Sequence, residues 1–204
     1  MKKLFYGVLA TVLALSVFQL APAFAEDQQA SSFELSDQVQ SGDTEVDARI
    51  VDGAGEVAYI VTVPEKIDFG KLVCPDNDED SFTIQKFNVD CVQMQGVSGV
   101  KVSVCNDGAT AGEKNQDFFL SNQTNAACTF KPTYEVYVGT TKIDTSIAMP
   151  ANGYDYLVFS KEGQSITGGV RLNQRQLFGY KDNIASIAGD YSGTMVFTTA
   201  AVSA

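Results

Sequence analysis

Apolar and polar residues alternate with a period of two over Tyr59-Ile-Val-Thr-Val63, and the alternation halts at Pro64. Successive side chains of a strand point to opposite faces, so Tyr59, Val61 and Val63 share one face while Ile60 and Thr62 share the other. That pattern predicts a half-buried strand. Proline offers no N–H to a ladder and drives the residue before it to extended geometry, so Pro64 marks a sheet edge or a crossing between sheets. The pattern resumes at Ile67 and Phe69 and closes at Gly70. Near the far end, Gly189-Asp-Tyr-Ser-Gly193 leads into Thr194-Met-Val-Phe-Thr-Thr199, which reads as the partner of strand 59–63.

The same period recurs along the chain. Val46, Ala48 and Ile50 alternate with Glu45, Asp47 and Arg49, predicting a first strand that Asp52-Gly-Ala-Gly55 turns into the next. Phe82 and Ile84 share one parity and Phe87, Val89 and Cys91 the other, a phase change that predicts a bulge near Gln85 and Lys86 or a change of sheet. Val100–Cys105 is a strand ended by the turn residues Asn106-Asp-Gly108. Phe118-Phe-Leu120 is a short apolar piece. Phe130, Tyr134, Val136 and Val138 line one face of a longer strand, and Gly139-Thr140 turns it back through Thr141-Lys-Ile143. Asn152-Gly153 precedes a strand over Tyr154–Phe159. A further strand over Ile166–Leu172 is weakened by Gly168 and Gly169, and Asn173–Tyr180 follows neither period. Short strands at regular spacing, with Gly, Asn and Asp turns and no sustained helical period, predict an all-β fold: an immunoglobulin-like or Greek-key β-sandwich of mainly antiparallel strands.

The first residues belong to another class. Lys2 and Lys3 precede an uncharged apolar run to Leu20, and Ala23-Phe-Ala25 stands before Glu26 and Asp27. A positive start, an apolar stretch and a small-x-small site predict a signal peptide cleaved after residue 25. The alternative, an uncleaved anchor helix, is disfavoured by Gln19, Pro22 and the acids that follow, so no membrane span is expected after cleavage. Residues 26–44 are polar and acidic and read as a flexible leader. Residues 45–204 then form a single domain, of a length common for all-β domains.

Net charge is −11, and removing residues 1–25 takes two lysines and no acid from that balance. Nucleic acid is therefore excluded as a partner, because phosphate binding needs a basic face. All four cysteines, Cys74, Cys91, Cys105 and Cys128, lie in the exported part. An even number in an oxidising compartment predicts two disulfides, with three possible connectivities. The pairing Cys74–Cys91 and Cys105–Cys128 links neighbouring predicted strands and is preferred; free buried thiols are the alternative.

Catalytic chemistry is sparse. With no histidine in the chain, Ser-His-Asp and Cys-His constellations and the usual zinc sites are ruled out. With no tryptophan, the strongest aromatic platform for sugars or cations is missing. Asp76, Asp78 and Asp80 place oxygen ligands at every second position and form a candidate calcium loop; Ser81 and Phe87 stand where an EF-hand needs glycine and glutamate. The plainer reading is a solvated turn, and no other cofactor is expected. Tyr154 and Tyr156 offer either a ligand-facing pair or an ordinary strand face.

Tyr59-Ile-Val-Thr-Val-Pro64 with Ile67-Asp-Phe-Gly70, and Ala188-Gly-Asp-Tyr-Ser-Gly-Thr-Met-Val-Phe197, resemble the opening and closing strands of secreted single-domain surface β-sandwiches of Gram-positive bacteria. The closing stretch is also similar to the last strand of bacterial fimbrial subunits. The resemblance covers the two ends of the domain, and neither the paired cysteines nor the Asp-rich loop belongs to its pattern. It implies an immunoglobulin-like sandwich at the cell surface that works by contact.

The expectation is thus a non-enzymatic bacterial protein, extracellular or at the cell surface (periplasmic in a Gram-negative cell), acting as an adhesion or binding module for a protein or glycan ligand. A second expectation is a pilus or fimbrial subunit that self-associates by strand exchange, with Phe33 and Leu35, or Val46, Ala48 and Ile50, as the donated residues. A secreted hydrolase or inhibitor is the third.

Overall fold

The computed structural model describes residues 32–36, 41–42 and 59–202. In chain order its strands begin with β1 (Ser32–Ser36), β2 (Ser41–Gly42), β3 (Tyr59–Pro64), β4 (Phe82–Met94) and β5 (Gly99–Asn106). Then come β6 (Phe118–Phe119), β7 (Ser121–Asn122), β8 (Thr133–Val138), β9 (Thr141–Lys142) and β10 (Tyr154–Phe159). After β11 (Ser165–Asn173), a 3-10 helical segment (Gln174–Ser186) leads to β12 (Tyr191–Ser192) and β13 (Met195–Val202). Residues 1–25, expected to be a signal peptide, lie outside the described residues, as do the strand expected over 45–51 and its turn at 52–55. β1 and β2 fall within 26–44, the stretch expected as a leader. Among the described residues no helix is long and apolar enough to cross a membrane.

One sheet has the order β1-β3-β4-β11-β8-β6, with β9 beside β8; a second runs β10-β5-β13-β2; β12 and β7 form a small ribbon. Each ladder described is antiparallel. The two larger sheets enclose one core. Tyr59, Val61, Val63, Phe87, Val89, Val136 and Leu172 of the first meet Val100, Val102, Val104, Tyr154, Phe159 and Phe197 of the second. Alternate residues of each strand supply this core, as a period of two requires, and each fully buried Val or Phe contributes about 1.5–3 kcal/mol.

The β3 alternation is as the sequence predicts, with Tyr59, Val61 and Val63 buried. Its expected partner is not. β3 lies between β1 and β4, whereas β13 lies between β5 and β2 in the other sheet. The two strands meet across the core, where the Tyr59 and Thr199 hydroxyls are 3.3 Å apart.

No bulge occurs at Gln85 and Lys86, because β4 opposes β11 without a break from Phe82↔Asn173 to Asp90↔Ser165. Phe82 and Ile84 instead stay on the outer face, 40% and 56% exposed. The Arg171 guanidinium lies 4.2 Å from the Phe82 ring centre, an attraction between cation and π-face that offsets part of the exposure. The irregularity sits farther along, where Ile60 opposes Gln93 and Val61 opposes Cys91, leaving Val92 as the extra residue.

Beyond Pro64 the chain leaves the sheet, and Ile67, Phe69 and Leu72 pack against the core from irregular backbone. The longer strand expected from Phe130 starts only at Thr133; Phe130 stands outside it and packs on Tyr180, ring centres 4.8 Å apart. The stretch from Asn173 becomes helical because the Asn173 side chain accepts from the Arg175 N–H and caps the first turn.

Candidate functional site

Three places concentrate exposed chemistry: the β1 edge, the cleft where the chain crosses after Pro64, and the charged outer face of the larger sheet.

At the edge, β1 runs antiparallel to β3 with Phe33 opposite Val63 and Leu35 opposite Val61. Val61 and Val63 are the buried residues of β3 that this register sets opposite Leu35 and Phe33. Of the two candidate donated strands, the one with Phe33 and Leu35 is paired within the chain, and the one with Val46, Ala48 and Ile50 lies outside the described residues.

The cleft encloses about 970 Å³ between the 64–72 crossing and the first half of β13. Ile67, Phe69, Leu120, Leu177, Met195 and Phe197 make its apolar wall, with Lys66, Asp68 and Asp190 at the rim. It exists because β3 stops at Pro64 and the crossing that follows covers the sheets without closing them.

On the outer face, Glu135 of β8 accepts from Arg171 Nε at 2.8 Å, Lys142 Nζ at 2.8 Å and the Tyr137 hydroxyl at 2.7 Å. Burial by itself raises the pKa of this carboxyl, but the three donors outweigh it and hold the pKa at about 2. Arg171 is stacked between Phe82 and Tyr137. Sequence reasoning missed this cluster, since its members come from β4, β8, β9 and β11; the one signal was the out-of-phase Phe82.

The acidic loop is drawn onto the helical segment. Asp78 takes a 2.8 Å bond from Arg175 Nε, and Asp80 accepts from Asn173 Nδ2 at 2.8 Å with Arg175 3.6 Å away. The bond from Arg175 lowers the Asp78 pKa. Lys181 donates to the Asp76 backbone carbonyl. Two of the three proposed calcium ligands thus share an arginine, and among the described residues no three Asp, Glu, Cys or His side chains converge as metal ligands.

The expected disulfides are absent from the structure: Cys74, Cys91, Cys105 and Cys128 are free thiols. They stand in different surroundings. Cys91 sits on β4 with its thiol toward the Gln93 carbonyl, Cys74 by the Leu177 carbonyl, and Cys128 by the Tyr191 hydroxyl. Cys105 is on β5 opposite Val196. Cys74 and Cys128, each expected to bond a cysteine of a neighbouring strand, lie in no strand themselves. Burial raises the pKa of Cys91 and of Cys105, which disfavours the thiolate of each.

Tyr154 and Tyr156 face no ligand surface. Both are buried, and their hydroxyls donate to the Thr145 and Tyr137 carbonyls at 3.1 and 3.2 Å. A register shift between Asp155 and Leu157 then lets Leu157 and Phe159 face the core as well.

Fold and site define an antiparallel, mostly β protein with charge clusters around Glu135 and Arg175. No family model matches the chain and no curated protein is similar to it. Among solved structures it is similar to a chain from a chaperone–tip adhesin complex of CFA/I fimbriae biogenesis, at 9% identity and a TM-score of 0.39, over 86% of this chain and 42% of that one. The chain spans less than half the length of that protein, and a likeness of this depth assigns it neither a fold family nor a partner.

Proposed function

We propose that this chain is an exported, non-catalytic surface protein: an immunoglobulin-like sandwich, edged by its own N-terminal strand, that works by contact with a protein or glycan ligand. The observation that carries the reading is the β1 register. Phe33 and Leu35 lie only a few residues beyond the expected cleavage site and already stand opposite core valines of β3. A mature chain of that kind begins at the edge of its own fold, leaving loops and outer faces free for contact. Support for the non-catalytic part comes from the carboxylates with lowered pKa. Asp78, Glu135 and Asp144 are each held by neighbouring donors, and none lines the cleft.

The same register favours a second reading, a fibre subunit. An edge strand joined to its sheet by residues 37–58 makes the same ladder whether it pairs at home or on a second copy. Gel filtration and unheated electrophoresis separate the two, comparing the chain from Glu26 with one starting at Asp37. A monomer in both supports the contact module. A heat-sensitive ladder lost on truncation supports the fibre subunit. Mass spectrometry of the secreted product tests export, with Glu26 the expected first residue.

A further inference from the structure

Four tyrosines among the described residues are buried, and three of them have a partner for the hydroxyl. Tyr59 stands 3.3 Å from the Thr199 hydroxyl, Tyr154 donates to the Thr145 carbonyl and Tyr156 to the Tyr137 carbonyl. Tyr134, on β8 and 8% exposed, is the exception: among the described residues nothing hydrogen-bonds to its hydroxyl. Phe69 and Phe118 flank its ring, with centres 5.6 and 5.7 Å away, so the nearest neighbours of the phenol are apolar. Desolvation pushes its pKa up, so the group keeps its proton and stands as a donor. A buried donor without an acceptor is costly, and folded proteins retain few of them.

Tyr134 is also a wall residue of the cleft of about 970 Å³. We propose that this cleft binds a neutral small molecule with a flat, apolar body and one hydrogen-bond acceptor, and that the Tyr134 hydroxyl donates to that acceptor.

Size, wall chemistry and charge each bear on the choice of ligand. Small-molecule sites commonly enclose about 300–1,000 Å³ and are apolar with a few placed polar groups, which is the make-up of this cleft. Phe69, Phe130, Tyr134, Tyr191 and Phe197 line it, and rings of this kind favour offset stacking on a flat partner. Among the described residues Glu65, Lys66, Asp68, Lys71 and Asp190 are its charged groups, with Lys66 and Asp68 paired at 3.6 Å. Signs so nearly balanced give no field that would select an ion, which favours a neutral ligand. Water alone is a poor occupant beside the phenol, because a buried water needs two to four polar partners and the rings packed on Tyr134 supply none. The acceptor is therefore expected to arrive on an apolar body. This site lies apart from the loops and outer faces assigned to contact with a partner, and its test does not depend on that reading.

The probe is Nile red, a neutral planar dye carrying a ring carbonyl, titrated into the monomeric chain from Glu26. Saturable, blue-shifted fluorescence is expected. Tyr134→Phe keeps the ring and removes the donor, so it should weaken dye binding about 3–10-fold while the free protein melts no lower. Tyr137→Phe takes a hydroxyl from the outer face and should leave the dye affinity unchanged. The absence of saturable binding overturns the proposal, as does equal affinity of the wild type and Tyr134→Phe. A Tyr134→Phe chain that melts lower also overturns it, since the hydroxyl would then have a partner in the free protein. Equal weakening by Tyr137→Phe has the same force, because the effect would not be local to the cleft.

Discussion

The Tyr156 hydroxyl donates to the Tyr137 carbonyl at 3.2 Å, crossing from the smaller sheet to the larger through the space over Gly168. A Cβ at Gly168 would meet that hydroxyl at 1.8 Å and the Phe87 ring at 2.9 Å. Gly168→Ala is therefore expected to destabilise by about 1–3 kcal/mol in urea unfolding, the usual cost of an overpacked core. Tyr156→Phe removes the clashing oxygen, so the Ala substitution costs less in that background. Equal costs in both backgrounds would show that the two positions are not coupled.

Glu135 links stability to acid. Its folded pKa of about 2 lies below the ordinary 4.5, so its contribution is fully present above about pH 4.5 and is lost as pH falls toward 2. Its side chain is 30% exposed, and screening keeps that contribution at about 1 kcal/mol. Glu135→Gln should lose this increment at pH 7 and show a shallower fall in melting temperature between pH 4.5 and 2. An unchanged acid limb would place the linkage on another carboxyl.

Four free thiols make Cys105→Ser nearly neutral, within about 0.5 kcal/mol, where loss of a native bridge costs about 2–5 kcal/mol. Thiol labelling of the unfolded chain, read by mass spectrometry, should give four adducts per molecule without reductant. Two or none would reinstate bridges.

Asp78 and Asp80 already hold Arg175. Calcium is expected to leave the melting temperature unchanged, and Asp76, Asp78 and Asp80 changed together to Asn should fold alike with and without it. A calcium-dependent rise lost in the triple variant would make the loop a metal site. Arg175→Ala should cost little at physiological salt, since solvent and ions screen an exposed pair.

Much of this was legible in the sequence where the period was local. The core parity of Tyr59, Val61 and Val63, the hairpin at Gly139, where φ is 57°, and the turn at Gly153, where φ is 92°, each follow from a few adjacent residues. The Glu135 cluster was illegible because Phe82, Glu135, Lys142 and Arg171 are far apart in the chain and meet only when β4, β11, β8 and β9 lie side by side.

By itself, then, the sequence determined the strand at Tyr59–Val63 with its apolar face, the strands over Val100–Cys105 and Tyr154–Phe159, and the turns at Gly139 and Gly153, because side-chain alternation and backbone preference act over two to four residues. Tertiary structure alone decided which strands are neighbours. A given apolar face packs equally well against many others, so pairing β3 with β1 and β4 while sending β13 to the opposite sheet is a choice that only the joint packing of one core can make.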